Sequence, residues 1–350
     1  MKHIQINTSR SYSVKIGNGL LSSLGNETAK VCKAQKVAII SDTNVWPLYG
    51  EITENSLRSA GFHVIHYAFP AGEESKNGQT YLNILNFLAE NKLTRSDCMV
   101  ALGGGVVGDM TGFIAATYLR GIAYIQVPTT LLAAVDSSVG GKTAIDLDAG
   151  KNLAGAFYQP RLVLCDTDTL TSLPQDIYRD GCAEVIKYGI LYDPQLFSHL
   201  EDKGISFVRE AVIARCVELK RDVVMEDEFD TGARMRLNLG HTIGHGVEAR
   251  SQFTVSHGKA VAIGMAIVCR AANMLDICNK QTCDRITSCI ESFGLPVNTD
   301  SSAQELYEFA LSDKKRSGGT VNLIVPKEIG NCLIVPTDVR KLKSFIEAGL

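Results

Sequence analysis

The sequence predicts an α/β domain built on a largely parallel sheet, residues 1–172, followed by a mostly α-helical domain, residues 173–350. Two observations carry this reading. Short β-rich runs alternate with helical stretches up to about Leu173-Pro174, and long helix-compatible segments dominate beyond it. A third sets the scale: 350 residues, 45% hydrophobic and 21% charged, are enough for one large or two ordinary packed domains and too apolar for a disordered chain.

Taken in order, Lys36–Ser41 reads as a strand buried on both faces that ends at Asp42-Thr43-Asn44. His63–Tyr67 alternates like a second strand, and Tyr81–Leu88 is helical. Cys98–Leu102 is a third strand that runs straight into a glycine turn, and Ile122–Val127 and Leu162–Cys165 are further strands. In the second half, helical periodicity covers Gly181–Leu191, Phe207–Met225, His241–Arg250, Ala260–Leu275 and Gln281–Phe293. Thr320–Val325 and Asn331–Val335 pair as a small hairpin.

A formal net charge of -3 gives no global attraction for nucleic acid or an anionic membrane, so neither is an expected partner. The first residues hold no continuous apolar h-region, and no apolar stretch approaches a membrane span; a cytoplasmic location is expected. The ten cysteines are scattered without a CxxC pair, which suits reduced, buried thiols.

Gly103-Gly104-Gly105-Val106-Val107-Gly108-Asp109 satisfies G-x-G-x-x-G between a strand and a helix. Glycines there let the backbone approach a pyrophosphate, and the helix N-terminus offers free N–H groups. No strand-end acid follows about 20 residues later, as the dinucleotide fingerprint requires. The acid lies upstream instead, in Asp42-Thr43-Asn44, so the expectation is a Rossmann-like variant whose glycine turn comes later in the sheet. Thr129 and Thr130 add hydroxyls at another strand end.

Three of the seven histidines fall within Gly240–Gly246 and Ser256–Lys259. His241 and His245 are four apart and share a helical face, which points to a metal site. The metalloprotease pattern fails, because Thr242 replaces the glutamate base of H-E-x-x-H. A carboxylate ligand then comes from elsewhere, and Glu184, three residues before Lys187 in an apolar helix, is the best source; a surface ion pair of Glu184 with Lys187 is the competing reading. Asp136–Lys142 and Gly150–Gly155 form a glycine-rich loop with well-spaced Lys142 and Lys151. With Lys220, Arg234 and Asn238 they suit a substrate bearing at least two anionic groups.

In this order, GGGVVGDMTGFIAATYLRG, VPTTLLAAVDSSVGGKTAID, GKNLAGAFYQP, AEVIKYG, LNLGHTIGHGVE and HGKAVAIGM closely resemble the 3-dehydroquinate synthase family, over about Ser41 to Lys315. The resemblance implies a dehydroquinate synthase-like fold, shared with glycerol dehydrogenase and the iron-type alcohol dehydrogenases. It implies a cytoplasmic homodimer that uses NAD and zinc, with cobalt or iron as alternative ions. The reaction implied turns 3-deoxy-arabino-heptulosonate 7-phosphate, a phosphorylated sugar acid, into 3-dehydroquinate and phosphate in the shikimate pathway. It runs through transient oxidation by NAD, β-elimination, reduction, ring opening and aldol closure. A sugar-phosphate cyclase acting on sedoheptulose 7-phosphate and an NAD-dependent polyol dehydrogenase are the alternatives on the same scaffold.

Carried over by motif, the resemblance implies Glu184, His241 and His257 as metal ligands, with His245 moved to the substrate pocket. NAD contacts would be Asp42, Asn44, Glu73, Lys76, Gly104, Gly105, Asp109, Thr129, Thr130 and Lys151, on the α/β domain. The substrate pocket would hold Asp136, Lys142, Asn152, Lys187, Lys220, Arg234, Asn238 and His245. Arg120 would reach the substrate across a dimer interface, and Asp313-Lys314-Lys315 matches the family's late lysine motif.

Overall fold

The computed structural model describes residues 1–204, 209–252, 254–314 and 319–350, with the backbone alone for 310–314. Lys315 and the side chains of Asp313 and Lys314, from the late lysine motif, therefore lie outside what is described. The chain forms two compact units, Met1–Pro174 with Ile213–Phe229, and Gln175–Val212 with Asp230–Leu350. The stretch Ile213–Phe229 thus returns from the helical half of the sequence to the first unit. Polar ties hold it there: Lys220 Nζ donates to the Asp136 carbonyl (2.6 Å), and Glu228 accepts from Ser9 N (2.7 Å) and Gln159 Nε2 (2.9 Å).

The first unit runs β1 (Lys2–Ile6), β2 (Tyr12–Gly17), α1 (Leu24–Val31), β3 (Lys36–Asp42), α2 (Trp46–Ser59), β4 (His63–Phe69), α3 (Gly78–Glu90), β5 (Cys98–Gly103), α4 (Gly105–Thr117), β6 (Ala123–Pro128), β7 (Lys142–Leu147), β8 (Gly150–Phe157) and β9 (Leu162–Asp166). Its sheet has the order β1-β2-β9-β6-β5-β3-β4, parallel throughout except for the antiparallel edge strand β1. Successive residues of a strand face opposite ways, and both faces are covered. Val37 and Ile39 pack with Leu24 and Leu57 on one side, while Ala38 and Ile40 pack with Ile84, Leu88, Met110 and Ile114 on the other. That double burial explains the unbroken apolar runs.

The chain leaves β3 for β4 on one side and crosses to β5 on the other, so the order reverses between β3 and β5. Open α/β sheets bind ligands beyond the carboxyl ends of strands at such a point. Here those ends are Asp42 and Gly103, which accounts for a glycine turn that follows a later strand than in the standard order. The Lys142 and Lys151 region is not a loop but the two-stranded hairpin β7–β8.

Helix α7 (Glu210–Glu226) leads back into the first unit. The second unit comprises α5 (Gln175–Tyr192), α6 (Pro194–Lys203), α8 (His241–Arg250), α9 (His257–Met274), α10 (Lys280–Ser292), α11 (Ala303–Lys314), hairpin β10 (Thr320–Glu328)–β11 (Asn331–Asp338) and α12 (Val339–Gly349). Helix α9 is apolar and buried from Ala260 to Cys269, and the helix is packed by α5, α8, α10, α12 and β10. Two glycines permit its closest approaches. A Cβ on Gly258 would lie 1.9 Å from the Asp180 carbonyl oxygen, and one on Gly264 would lie 2.0 Å from that of Gly240. Among the described residues no helix is long and apolar enough to cross a membrane.

Candidate active site

Three helices of the second unit each bring one potential metal-donor side chain to a common point. Glu184 from α5 is 1% exposed. Its Oε1 lies 3.5 Å from His241 Nε2 at the start of α8 and 3.6 Å from His257 Nε2 at the start of α9. One donor atom from each of the three lies within 4.8 Å of the others. The contact of Gly258 with Asp180 seats α9 on α5, and Asp180 reinforces it by accepting from the Lys259 amide (3.0 Å) and the Ser256 hydroxyl. Asp180 stands one helical turn before Glu184, so the same stripe of α5 fixes the start of α9 and supplies the carboxylate.

The far nitrogens of the two imidazoles are also held. His241 Nδ1 faces the Leu239 carbonyl at 3.0 Å, and His257 Nδ1 faces Glu248 Oε2 at 3.5 Å. Such partners fix the tautomer that turns Nε2 toward a metal. One carboxylate and two oriented imidazoles are a donor set for a divalent ion that leaves coordination positions open. The site fits a metal.

The Lys187 ammonium, 1% exposed, pairs with Glu184 Oε2. The pair has the expected i,i+3 spacing but is buried rather than on the surface. Burial, with the Lys187 charge nearby, pushes the His241 imidazole down to about 3. Burial also works against a charged His257, but Glu184 and Glu248 outweigh it and raise that group to about 10. Positive charge from Lys187 and His257 therefore balances two buried carboxylates, and a divalent ion would take over that balance. The His245 ring lies 5.6 Å from that of His241 and is exposed. With Glu248 and His257 it forms a second group of closely spaced donor atoms, so His257 belongs to both.

Arg234 is 2% exposed within the 3-10 turn Ala233–Asn238 that precedes α8, and Asn238 ends that turn on the surface. Both therefore stand within eight residues of His241 in the chain.

In the first unit, Gly104 is the N-cap of α4, and no side chain caps the helix amides. A Cβ at Gly104 would press on the Thr130 methyl at 3.0 Å, so the turn admits only glycine without adjustment. The Thr129 hydroxyl is buried and has no hydrogen-bond partner among the described residues. An open helix N-terminus beside a buried, unused hydroxyl at the switch point fits a pyrophosphate-bearing nucleotide. Asp42 Oδ1 accepts from the Asn44 and Val45 amides at 2.8 and 2.9 Å, shaping the turn into α2.

A second first-unit cluster is centred on Lys76, 4% exposed. Its Nζ donates to Asp109 Oδ2 and Asn152 Oδ1, both at 2.6 Å, and lies 3.9 Å from Glu73. Burial opposes the Lys76 charge, but Asp109 and Glu73 outweigh it and raise its pKa; burial raises Asp109, partly offset by Lys76. Lys151 Nζ lies 3.7 Å from Glu73, and Asn152 is held in a left-handed conformation (φ 55) as its amide donates to Asp146. Lys220 Nζ also lies 3.0 Å from Asp136 Oδ1.

Models of the 3-dehydroquinate synthase N-terminal and C-terminal domains match residues 66–180 and 181–316. The 3-dehydroquinate synthase of Clostridium acetobutylicum is 43% identical over 342 residues, covering 96% of each chain. That of Pelobacter propionicus is 46% identical over 340 residues, covering 95% of each. The chain belongs to the 3-dehydroquinate synthase family. The family's members are lyase-type cyclases of aromatic biosynthesis. A solved structure of 2-deoxy-scyllo-inosose synthase, complexed with carbaglucose-6-phosphate, NAD+ and Co2+, is 26% identical with a TM-score of 0.90 and full coverage of both chains.

Each unit gathers a share of the expected site residues. Glu184, Lys187, His241, His245 and His257 meet in the second unit. Glu73, Lys76, Asp109, Lys151 and Asn152 meet in the first, and Asp136 pairs with Lys220. Lys142 is exposed at the start of β7. Arg120 is exposed and left-handed (φ 65). Sequence reading missed Glu248, Asp180 and Asp146. Glu248 and Asp180 carry a usable signal: the first lies seven residues after His241 on α8, the second four before Glu184 on α5.

Proposed function

We propose that this chain converts 3-deoxy-arabino-heptulosonate 7-phosphate to 3-dehydroquinate and phosphate, using NAD and a zinc ion held by Glu184, His241 and His257. The observation that carries the reading is the convergence of both Nε2 atoms on Glu184 Oε1, at 3.5 and 3.6 Å, with each ring held from behind. Zinc is favoured by this mixed carboxylate and imidazole set, and cobalt would be accepted by the same atoms. When bound, NAD accepts and returns one hydride, and the metal binds and acidifies the hydroxyl that is oxidised.

The first unit supplies the NAD contacts. Gly104 and Gly105 admit the pyrophosphate, Thr129 and Thr130 offer hydroxyls, and Asp42 and Asn44 take the ribose side. Lys76, braced by Asp109 and Glu73, and Lys151 complete the set. On the substrate, Arg234 grips the carboxylate as a planar fork. Lys142, Asn152, Lys187, Lys220, Asn238 and His245 bind the phosphate and ring hydroxyls, with Asp136 holding Lys220 in place. In a homodimer, Arg120 contributes to the partner's substrate. These residues mainly orient the substrate and stabilise its charge.

The test is phosphate release from the heptulosonate phosphate, with zinc present and NAD far below the substrate concentration. Release greatly exceeding the NAD supplied, without net NADH, is expected. Turnover of sedoheptulose 7-phosphate alone would refute the substrate assignment, since that sugar offers Arg234 no carboxylate.

A further inference from the structure

At the amino ends of the parallel strands, opposite the glycine turn, the first unit has a cavity of about 250 Å³ lined by none of the residues assigned to the reaction. Four cations line it: Arg10 before β2, Lys33 before β3, Arg95 before β5 and Arg161 before β9. No carboxylate is among its lining residues. Asp97, the residue after the lining Ser96, is already engaged by the Thr94 and Lys36 amides and the Thr94 hydroxyl. None of the four cations forms an ion pair among the described residues.

Helix C-termini point to this edge, and their partial negative charge is one reason for cations here. It covers two of the four. Lys33 and Arg95 follow α1 and α3, whereas Arg10 and Arg161 follow strands β1 and β8. Part of the lining is also fixed in place. The Arg10 guanidinium lies 5.4 Å from the ring centroid of Tyr158, whose hydroxyl donates to the Ile122 carbonyl at 2.8 Å. Arg95 Nε donates at 3.1 Å to the carbonyl of Leu119, a residue held left-handed (φ 50). In the same wall, the Cys32 thiol is lowered, first by its contact with Cys98 at 3.4 Å and then, against burial, by the Arg161 charge.

We propose that this cavity binds a small phosphate-bearing anion of two or more negative charges, held by none of the residues assigned to the reaction. Four unpaired positive charges around one hollow repel each other, and a multiply charged anion removes that repulsion while gaining forked contacts from three guanidiniums. The volume lies just below the usual range for small-molecule pockets, which suits a compact phosphate compound and not a dinucleotide.

The probe is inorganic pyrophosphate, measured by equilibrium dialysis on the full-length protein at low ionic strength. Arg95→Gln/Arg161→Gln should lose one equivalent of saturable binding or weaken it at least tenfold, whereas Lys142→Ala should leave that component unchanged. Pyrophosphate should also raise the melting temperature of the wild type more than that of the double variant. If the double variant does not fold, Lys33→Gln alone should weaken the same component several-fold. No saturable binding to the wild type, or wild-type stoichiometry and affinity in the Arg95→Gln/Arg161→Gln or Lys33→Gln variant, would overturn the proposal.

Discussion

Replacing Glu248 tests whether the metal group depends on a residue that would not itself touch the ion. Its Oε2 lies 3.5 Å from His257 Nδ1, long for a hydrogen bond, but Glu248 is only 3% exposed, so the attraction is weakly screened. Removing a carboxylate behind a ligating imidazole typically costs 10–100-fold in metal affinity, about 1.4–2.7 kcal/mol. The long contact places Glu248→Ala near the lower end, about tenfold. Glu248→Gln keeps an acceptor and loses only the charge, so a several-fold loss is expected. Competition with a chromophoric zinc chelator reads both variants without reference to turnover. Zinc affinity in Glu248→Ala equal to that of the wild type would refute the argument that Glu248 orients His257.

His257→Ala should leave no stoichiometric zinc after dialysis, because two remaining ligands rarely hold such an ion; elemental analysis showing one zinc per chain would remove His257 from the ligand set. Arg234→Ala should raise KM and lower kcat, with a combined loss of at least about 1.4 kcal/mol in transition-state stabilisation, and Arg234→Lys should not restore it. Unchanged steady-state kinetics would take Arg234 out of the pocket. Gly258→Ala should destabilise by roughly 1–3 kcal/mol, since its Cβ would meet the Asp180 carbonyl oxygen at 1.9 Å; a melting temperature equal to the wild type's would show that α9 can move without cost. Asp97 is held below the usual carboxylate range: burial acts against its charge, but the Thr94, Lys36 and Gln35 amides and the Thr94 hydroxyl outweigh it. Its stabilising contribution is therefore present above an unfolded pKa of about 3.9 and lost as pH falls through the lower folded value. Asp97→Asn should flatten that acid limb in pH-dependent unfolding.

The central strands were legible in the sequence because they are buried on both faces, and a run such as Val37–Ile40 has no solvent side to interrupt it. Strand β1 escaped because it is a short edge strand with exposed Lys2, His3 and Gln5, and β7–β8 escaped because glycines resemble a loop. Helix α6 carried an Asp193 cap and Pro194 at its first turn, a start signal that was present and unread. The return of Ile213–Phe229 to the first unit left no mark on periodicity. Its buried Val217 and Val224 and its polar tie from Lys220 to Asp136 find partners that only the fold brings together.

The histidine cluster shows the same boundary between local and tertiary information. Spacing alone favoured His241 with His245, because i,i+4 residues share a helical face. That much is correct, with the two rings 5.6 Å apart. A shared face does not put both into one group of donor atoms, however: α8 begins at His241, whose Nε2 faces Glu184 Oε1 at 3.5 Å. One turn later, His245 stands exposed beside Glu248 and His257. What brings Glu184 and His257 together is the close seating of α9 on α5, where a glycine next to His257 leaves room for the Asp180 carbonyl. If Gly258 carries this role, Gly258→Ala should lower zinc affinity as well as stability, although residue 258 offers no ligand atom. A variant that is destabilised yet binds zinc as tightly as the wild type would show that the three ligands hold their positions independently of that contact.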